Sequence, residues 1–150
     1  MMMLFPPVQV ASLSTQAIIA SVLDDFHLAA AQADEARYFG HLDDSAIFLG
    51  TDAAERWTKT QFQAYGHPSF AKGKAWSFRA TRRAITLSSD GRTAWFDEDL
   101  ATPNLGPCRG SGVLLLEDGT WKITQYNLTV TVPNEVMKDV KALIEARQKP

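Results

Sequence analysis

The sequence holds a single cysteine, Cys108. One thiol can form neither an intramolecular disulfide nor a cysteine-built metal site, and such sparing use suits a reducing, cytoplasmic setting. Long apolar runs are missing too: no stretch approaches the roughly 18 consecutive apolar residues of a membrane-spanning helix, so no membrane partner is expected. The apolar start MMMLFPPVQVAS has no Lys or Arg ahead of it and is interrupted by Pro6-Pro7, so residues 1–13 read as a flexible arm rather than a signal peptide. Neither sign of charge dominates, with 15 Lys and Arg against 17 Asp and Glu. The densest basic group, Arg79, Arg82 and Arg83, falls in one strand-like segment, which is too little for a nucleic-acid footprint. The histidines, His27, His41 and His67, lack His-x-His or His-Glu-x-x-His spacing, so no metal site is expected. Phosphate loops, dinucleotide fingerprints and Gly-x-Ser-x-Gly elbows are absent as well, and no cofactor is expected.

What is present suits one globular domain of 150 residues, 45% hydrophobic and 21% charged. Ser14 is placed to cap a helix in which Ile18, Val22, Phe26 and Ala29 recur at helical spacing, with Ile19, Leu23 and Ala30 beside them. Asp34 opens a short second helix that Gly40 can stop, and SAIFLG follows as a strand. In GTDAAERW, Asp52 and Glu55 have capping-box spacing, and Thr58 and Gln61 repeat it, so a helix that starts there can break after Trp57 and restart. GHPSFAKGK reads as a loop. From Trp76 onward alternation predicts strands, with hairpin turns at Asp90-Gly91 and Asp118-Gly119. Asn134 can cap a last helix striped by Val136, Val140, Leu143 and Ile144.

Helices early and strands late make an α+β fold, with an antiparallel sheet covered by helices on one face. Strands this long twist and curl, so the sheet is expected to form a cone with an open mouth, where a pocket would sit. The domain proper spans 14–132, with residues 133–150 as a helical extension.

The blocks AIFLGTDAAERWT (Ala46–Thr58), DGRTAWFDEDL (Asp90–Leu100) and CRGSGVLLLEDGTWKITQYNLTV (Cys108–Val130) resemble the SnoaL-like branch of the nuclear transport factor 2-like superfamily. The resemblance covers the chain from about Ser14 to about Val132. It implies a cystatin-like roll of curved sheet and helices, and a homodimer formed through the sheet. Relatives in that superfamily include polyketide cyclases, ketosteroid isomerases, dehydratases, epoxide hydrolases and non-catalytic binding proteins, so the fold alone does not choose a reaction.

Strand alternation from Trp121 and Ile123 sends Gln125 and Asn127 inward, and Arg109 and Ser111 with them, to line the wide end of the cone. There Arg109 would hold a carboxylate or carbonyl, or else close a salt bridge to Asp97 or Glu98. Within WFDED only one of Asp97 and Glu98 can face inward. Asp97 is preferred because Trp95 would then form pocket wall, and a register shift of one residue selects Glu98 instead. A carboxylate in an apolar cone would titrate high and act as general base or acid next to a carbonyl. His41 could pair with Asp43 or Asp44, and His27 flanks the apolar helix face. Trp57 and Tyr65, with Phe62, Phe70 and Trp76, make an aromatic cluster able to stack on a flat ligand. Tyr126 alternates away from Asn127, toward a neighbour or a dimer partner. The expected function is binding of a small apolar, carbonyl-bearing molecule, with cofactor-free acid–base catalysis of isomerase, cyclase or lyase type. The alternative is a non-catalytic dimeric binding or interaction module.

Overall fold

The computed structural model describes residues 12–148; of the expected N-terminal arm, residues 1–11 lie outside the described residues. The order is α1 (Thr15–Ala31), α2 (Glu35–Gly40), β1 (Leu42–Leu49), β2 (Arg56–Thr58), α3 (Lys59–Ala71), β3 (Arg79–Leu87), β4 (Thr93–Ala101), β5 (Cys108–Glu117), β6 (Thr120–Val130), a 3-10 turn (Asn134–Val136) and α4 (Met137–Gln148). The strands form one six-stranded sheet in the order β2-β1-β6-β5-β4-β3. It is mixed rather than wholly antiparallel, because β1 runs parallel to β6. The hairpin after β5 fixes the direction of β6: Asp118 and Gly119 take φ of 48° and 78°, as a two-residue turn with both central residues left-handed requires.

Helix α1 begins where Ser14 accepts a hydrogen bond from the Ala17 N–H at 3.2 Å. Its core stripe is Ile19, Leu23, Phe26 and Ala30, all buried. Ile18 lies one position off that stripe and is 42% exposed. These side chains meet Tyr38 and Phe39 of α2, Phe48 of β1, Phe62 and Phe70 of α3, and the inner face of the sheet in one continuous apolar core. Each fully buried aromatic or Leu side chain in such a core contributes about 1.5–3 kcal/mol relative to exposure.

The segment around Trp57 departs from the pattern-based reading. Residues 51–54 turn, Arg56–Thr58 adds a short edge strand to β1, and α3 starts at Lys59. The capping box that operates is Thr58 with Gln61. Asp52 and Glu55 do exchange contacts, but only within the turn. Nor is GHPSFAKGK a loop throughout, since α3 continues through Pro68 to Ala71. The missing Pro N–H is outweighed there by burial: Phe70 packs on Tyr38, Phe39 and Trp76.

Helix α4 follows the chain out of the sheet and buries no residue; Leu143 and Ile144 on its stripe are 68% and 52% exposed. No helix among the described residues is long and apolar enough to cross a membrane.

Candidate functional site

The inner face of the sheet is set by register. Across β3, β4, β5 and β6 the rows Arg83–Glu98–Gly110–Leu128 and Ile85–Phe96–Gly112–Tyr126 point toward α1. Glu98 therefore sits in a stripe with Ala94, Phe96 and Leu100, and its side chain has no exposure to solvent. A charge there must be fully partnered. It is: Glu98 Oε1 accepts from His27 Nε2 at 2.7 Å and from the Tyr126 hydroxyl at 2.8 Å, and Oε2 accepts from Arg83 Nε at 2.7 Å. Arg83 is held in turn by the Ala20 carbonyl and by Asp24 on α1, at 3.2 and 2.8 Å. Its remaining amino nitrogen is buried without a partner among the described residues.

Burial opposes the charge on Glu98, but the His27 and Arg83 contacts outweigh it and hold the carboxyl below its ordinary value. Burial, reinforced by Glu98, pushes the Tyr126 phenol well up, so Tyr126 stays protonated and donates to Glu98. With Glu98 ionised, His27 must donate through Nε2, which leaves Nδ1 as the ring nitrogen open to other chemistry. Gly110 makes the arrangement possible, because a Cβ there would overlap the Tyr126 hydroxyl.

His27 and Tyr126 face a narrow neck of about 10 Å³, shared with Phe26, Tyr38, Phe48 and Phe78. The neck shares Phe48, Trp76, Phe78 and Leu128 with an aromatic crevice of about 190 Å³ beside β1, β2 and α3, walled by Phe48, Trp57, Phe62, Tyr65 and Trp76. It shares His27 and Phe78 with a cleft of about 220 Å³ between α1 and the start of β3, past Asp24 and Arg79. Phe78 lines all three spaces. The crevice walls are stacked on one another: Trp57 and Phe62 lie 5° apart with centres 5.6 Å apart, and Phe62 and Trp76 19° with centres 5.7 Å apart. Aromatic faces exposed along such a stack offer a surface on which another flat ring can pack.

Several expected site residues lie elsewhere. Asp97 faces out, half exposed, with Arg82 at 3.8 Å, so the inward carboxylate is Glu98, and it titrates low rather than high. Trp95 shares the outer face and is 49% exposed, not pocket wall. Arg109, Ser111, Gln125 and Asn127 do form one set, as alternation implies, but on the outer face with Asp97 and Asp99. Arg109 pairs there with Asp99 at 3.7 Å rather than with Asp97 or Glu98.

For Gln125 and Asn127 the cause is a bulge: the β5–β6 register shifts between Val113 and Leu114, so Thr124 is an extra residue and alternation flips beyond it. Tyr126 thus turns into the core instead of toward a partner. On β5 it is Cys108, Gly110 and Leu114 that face the core, which turns Arg109 and Ser111 outward. His41 binds Asp25 at 2.8 Å, not Asp43 or Asp44, in a cluster with Arg37 at the α1–α2 junction, and lines none of these spaces. Trp57 and Tyr65 do line the crevice.

The residues overlooked are His27, Arg83 and Tyr126. The signal for Tyr126 was in the spacing of apolar residues in β6: Trp121, Ile123, Tyr126 and Leu128 step by two, then three, then two. A step of three inside a strand is the mark of a bulge.

A family model described as a SnoaL-like domain matches residues 19–133. No curated protein matches the chain. Among solved structures, an NTF2-like protein of unknown function from Pseudomonas putida KT2440 superposes with a TM-score of 0.65 at 12% identity, over 83% of this chain and 94% of that one. An NTF2-like protein from Cytophaga hutchinsonii does so with a TM-score of 0.63 at 19% identity, over 79% and 100%. A proposed scytalone dehydratase from Novosphingobium aromaticivorans gives 0.65 at 11%, over 78% and 84%. At these identities the likeness speaks for the fold.

Proposed function

The chain belongs to the family of SnoaL-like domains, and from that premise we propose that it binds a small, flat, carbonyl-bearing molecule in the aromatic crevice and carries out cofactor-free acid–base chemistry on it. The observation that carries this reading is the 2.7 Å bond between the buried Glu98 and His27, which lines the neck that shares Phe48, Trp76 and Phe78 with the crevice. A histidine oriented by a carboxylate is a competent base, because the carboxylate stabilises the imidazolium formed when the other ring nitrogen takes a proton. In this scheme His27 Nδ1 removes a proton from the carbon next to the carbonyl, and the electron pair passes into an enolate. The imidazolium then returns the proton to another carbon, giving isomerisation, or to a departing hydroxyl, giving dehydration. Glu98 positions His27, and Arg83 with Tyr126 positions Glu98. The neck has room for about one water, so the carbonyl end of the ligand would displace that water and part Phe78 from His27. The assignment of one structural neighbour as a proposed scytalone dehydratase accords with this chemistry. We place the activity in the cytoplasm, where the lone Cys108 stays reduced.

The substrate need not be known to test the chemistry. In D₂O the protein should speed deuterium exchange at the carbons flanking the carbonyl of 2-tetralone, followed by proton NMR. His27→Gln should lower that rate by about 10²–10⁴-fold, the usual span for a lost general base. If His27→Gln exchanges the ketone as fast as the native chain, His27 is not the base.

A second reading, a dimeric module that binds without catalysis, is favoured by the outer sheet face. Trp95 is 49% exposed there, beside half-buried Ile47, Leu49 and Val113. We propose this face as the contact surface of a homodimer.

A further inference from the structure

We infer that the turn Gly50–Trp57 sets the charge of the ligand: the crevice takes neutral or cationic flat rings, amine-bearing ones above all, and turns away carboxylates. The inference rests on the crevice being the ligand site and narrows what that site accepts. Among the described residues that line the crevice, Glu55 is the one side chain with a formal charge, with no Lys or Arg beside it.

The turn holds that carboxylate in place. Glu55 Oε2 accepts from the Asp52 N–H at 3.2 Å, and the Asp52 carboxylate braces the turn by accepting from the Ala54 N–H at 2.8 Å. The ends of the turn are clamped by the Gly50 N–H, which donates to the Glu55 carbonyl at 2.8 Å. The side chain lies back against Gly50, where a Cβ would overlap Oε2, so glycine at this position leaves the carboxylate at the crevice rim. In the same lining, Trp57 stacks on Tyr65 with ring centres 4.5 Å apart, and Trp76 adds a further ring.

Both features act in the same direction. A carboxylate at the rim attracts a cation and repels an anion, and the electron-rich faces of Trp and Tyr do likewise. The volume bounds the ring system as well. An apolar cavity of about 150 Å³ accommodates benzene, so about 190 Å³ suits one or two fused rings. An aryl or bicyclic amine, or its neutral alcohol or ketone counterpart, fits; a ring acid does not.

The test is a matched series, 2-naphthalenemethanol, 2-naphthylmethylamine and 2-naphthoate, titrated at neutral pH into the full chain and into Glu55→Gln by calorimetry. The native chain should bind the amine about tenfold more tightly than the carboxylate, with the alcohol between. Glu55→Gln should shrink that ratio to about threefold, the part left to the ring faces. Added salt should weaken the amine and not the alcohol in the native chain, an arm that needs no variant. Alcohol binding with equal amine and carboxylate affinities overturns the charge selection and leaves the crevice standing. An amine preference that survives intact in Glu55→Gln overturns the role of Glu55. Failure of all three probes to bind removes the crevice and this inference together.

Discussion

At the scale of single residues, Glu98 occupies a place that the rest of its strand fills with Ala94, Phe96 and Leu100. A buried carboxylate is tolerated only with excellent partners, and removing one side of a buried pair costs about 3–5 kcal/mol. Glu98→Gln keeps the shape but leaves the buried Arg83 with only the exposed Asp24 as counter-charge, so a loss of about 3 kcal/mol at neutral pH is expected in urea unfolding. The pH profile follows from the direction of the shift. The folded carboxyl titrates below its ordinary value of 4.5, so its contribution is complete above that value and is lost as pH falls through the lower, folded one. Asp25 adds to the same trend: its hydrogen bonds to Arg37, with help from His41, outweigh burial and lower it too. The unfolding midpoint should therefore drop as pH falls below about 4.5, with a shallower acid limb in Glu98→Gln.

At the scale of elements, the connections matter most. The end of α1 is closed by paired bonds, Ala33 N–H to the Ala30 carbonyl at 3.0 Å and Asp34 N–H to the Ala29 carbonyl at 2.9 Å. That closure puts Ala33 at φ 54°, a conformation that suits glycine and strains a residue with a Cβ. Ala33→Gly relieves the strain at the expense of a looser unfolded chain and a small loss of packing, and should stabilise by about 0.5 kcal/mol, a melting rise of about 1–2 °C. A fall in melting temperature would show that the methyl's packing against the core outweighs the backbone strain. The extra residue at Thr124 has a larger consequence, because a single inserted position exchanges the two faces of half a strand. It brings Tyr126 to Glu98 and sends Gln125 and Asn127 outside.

At the scale of the whole molecule, one face of the sheet is covered by helices and the other carries a mosaic of Trp95, half-buried aliphatics and the Arg82–Asp99–Arg109 charges. If that face joins two copies, Trp95→Glu should weaken the dimer by at least about 30-fold in sedimentation equilibrium, as loss of a buried aromatic anchor does. The crevice lies on the opposite face and its ring probes should bind the variant as before; a native chain that sediments as a monomer would remove the dimer altogether.

The amino-acid pattern by itself determined the element order from Ser14 to α4 apart from the edge strand β2, the hairpin at Asp118-Gly119, the aromatic cluster at Trp57 and Tyr65, and the grouping of Arg109, Ser111, Gln125 and Asn127 on a common face. These follow from local rules: caps, turn residues and period-two alternation act over a few neighbours. Only the tertiary structure decided which face is inside. Cross-strand register and the β6 bulge set that, and they answer to the packing of α1 against the sheet, which brings His27 to Glu98 across 71 positions of sequence. Adjacent residues cannot encode such a meeting, because it depends on how distant segments pair in space.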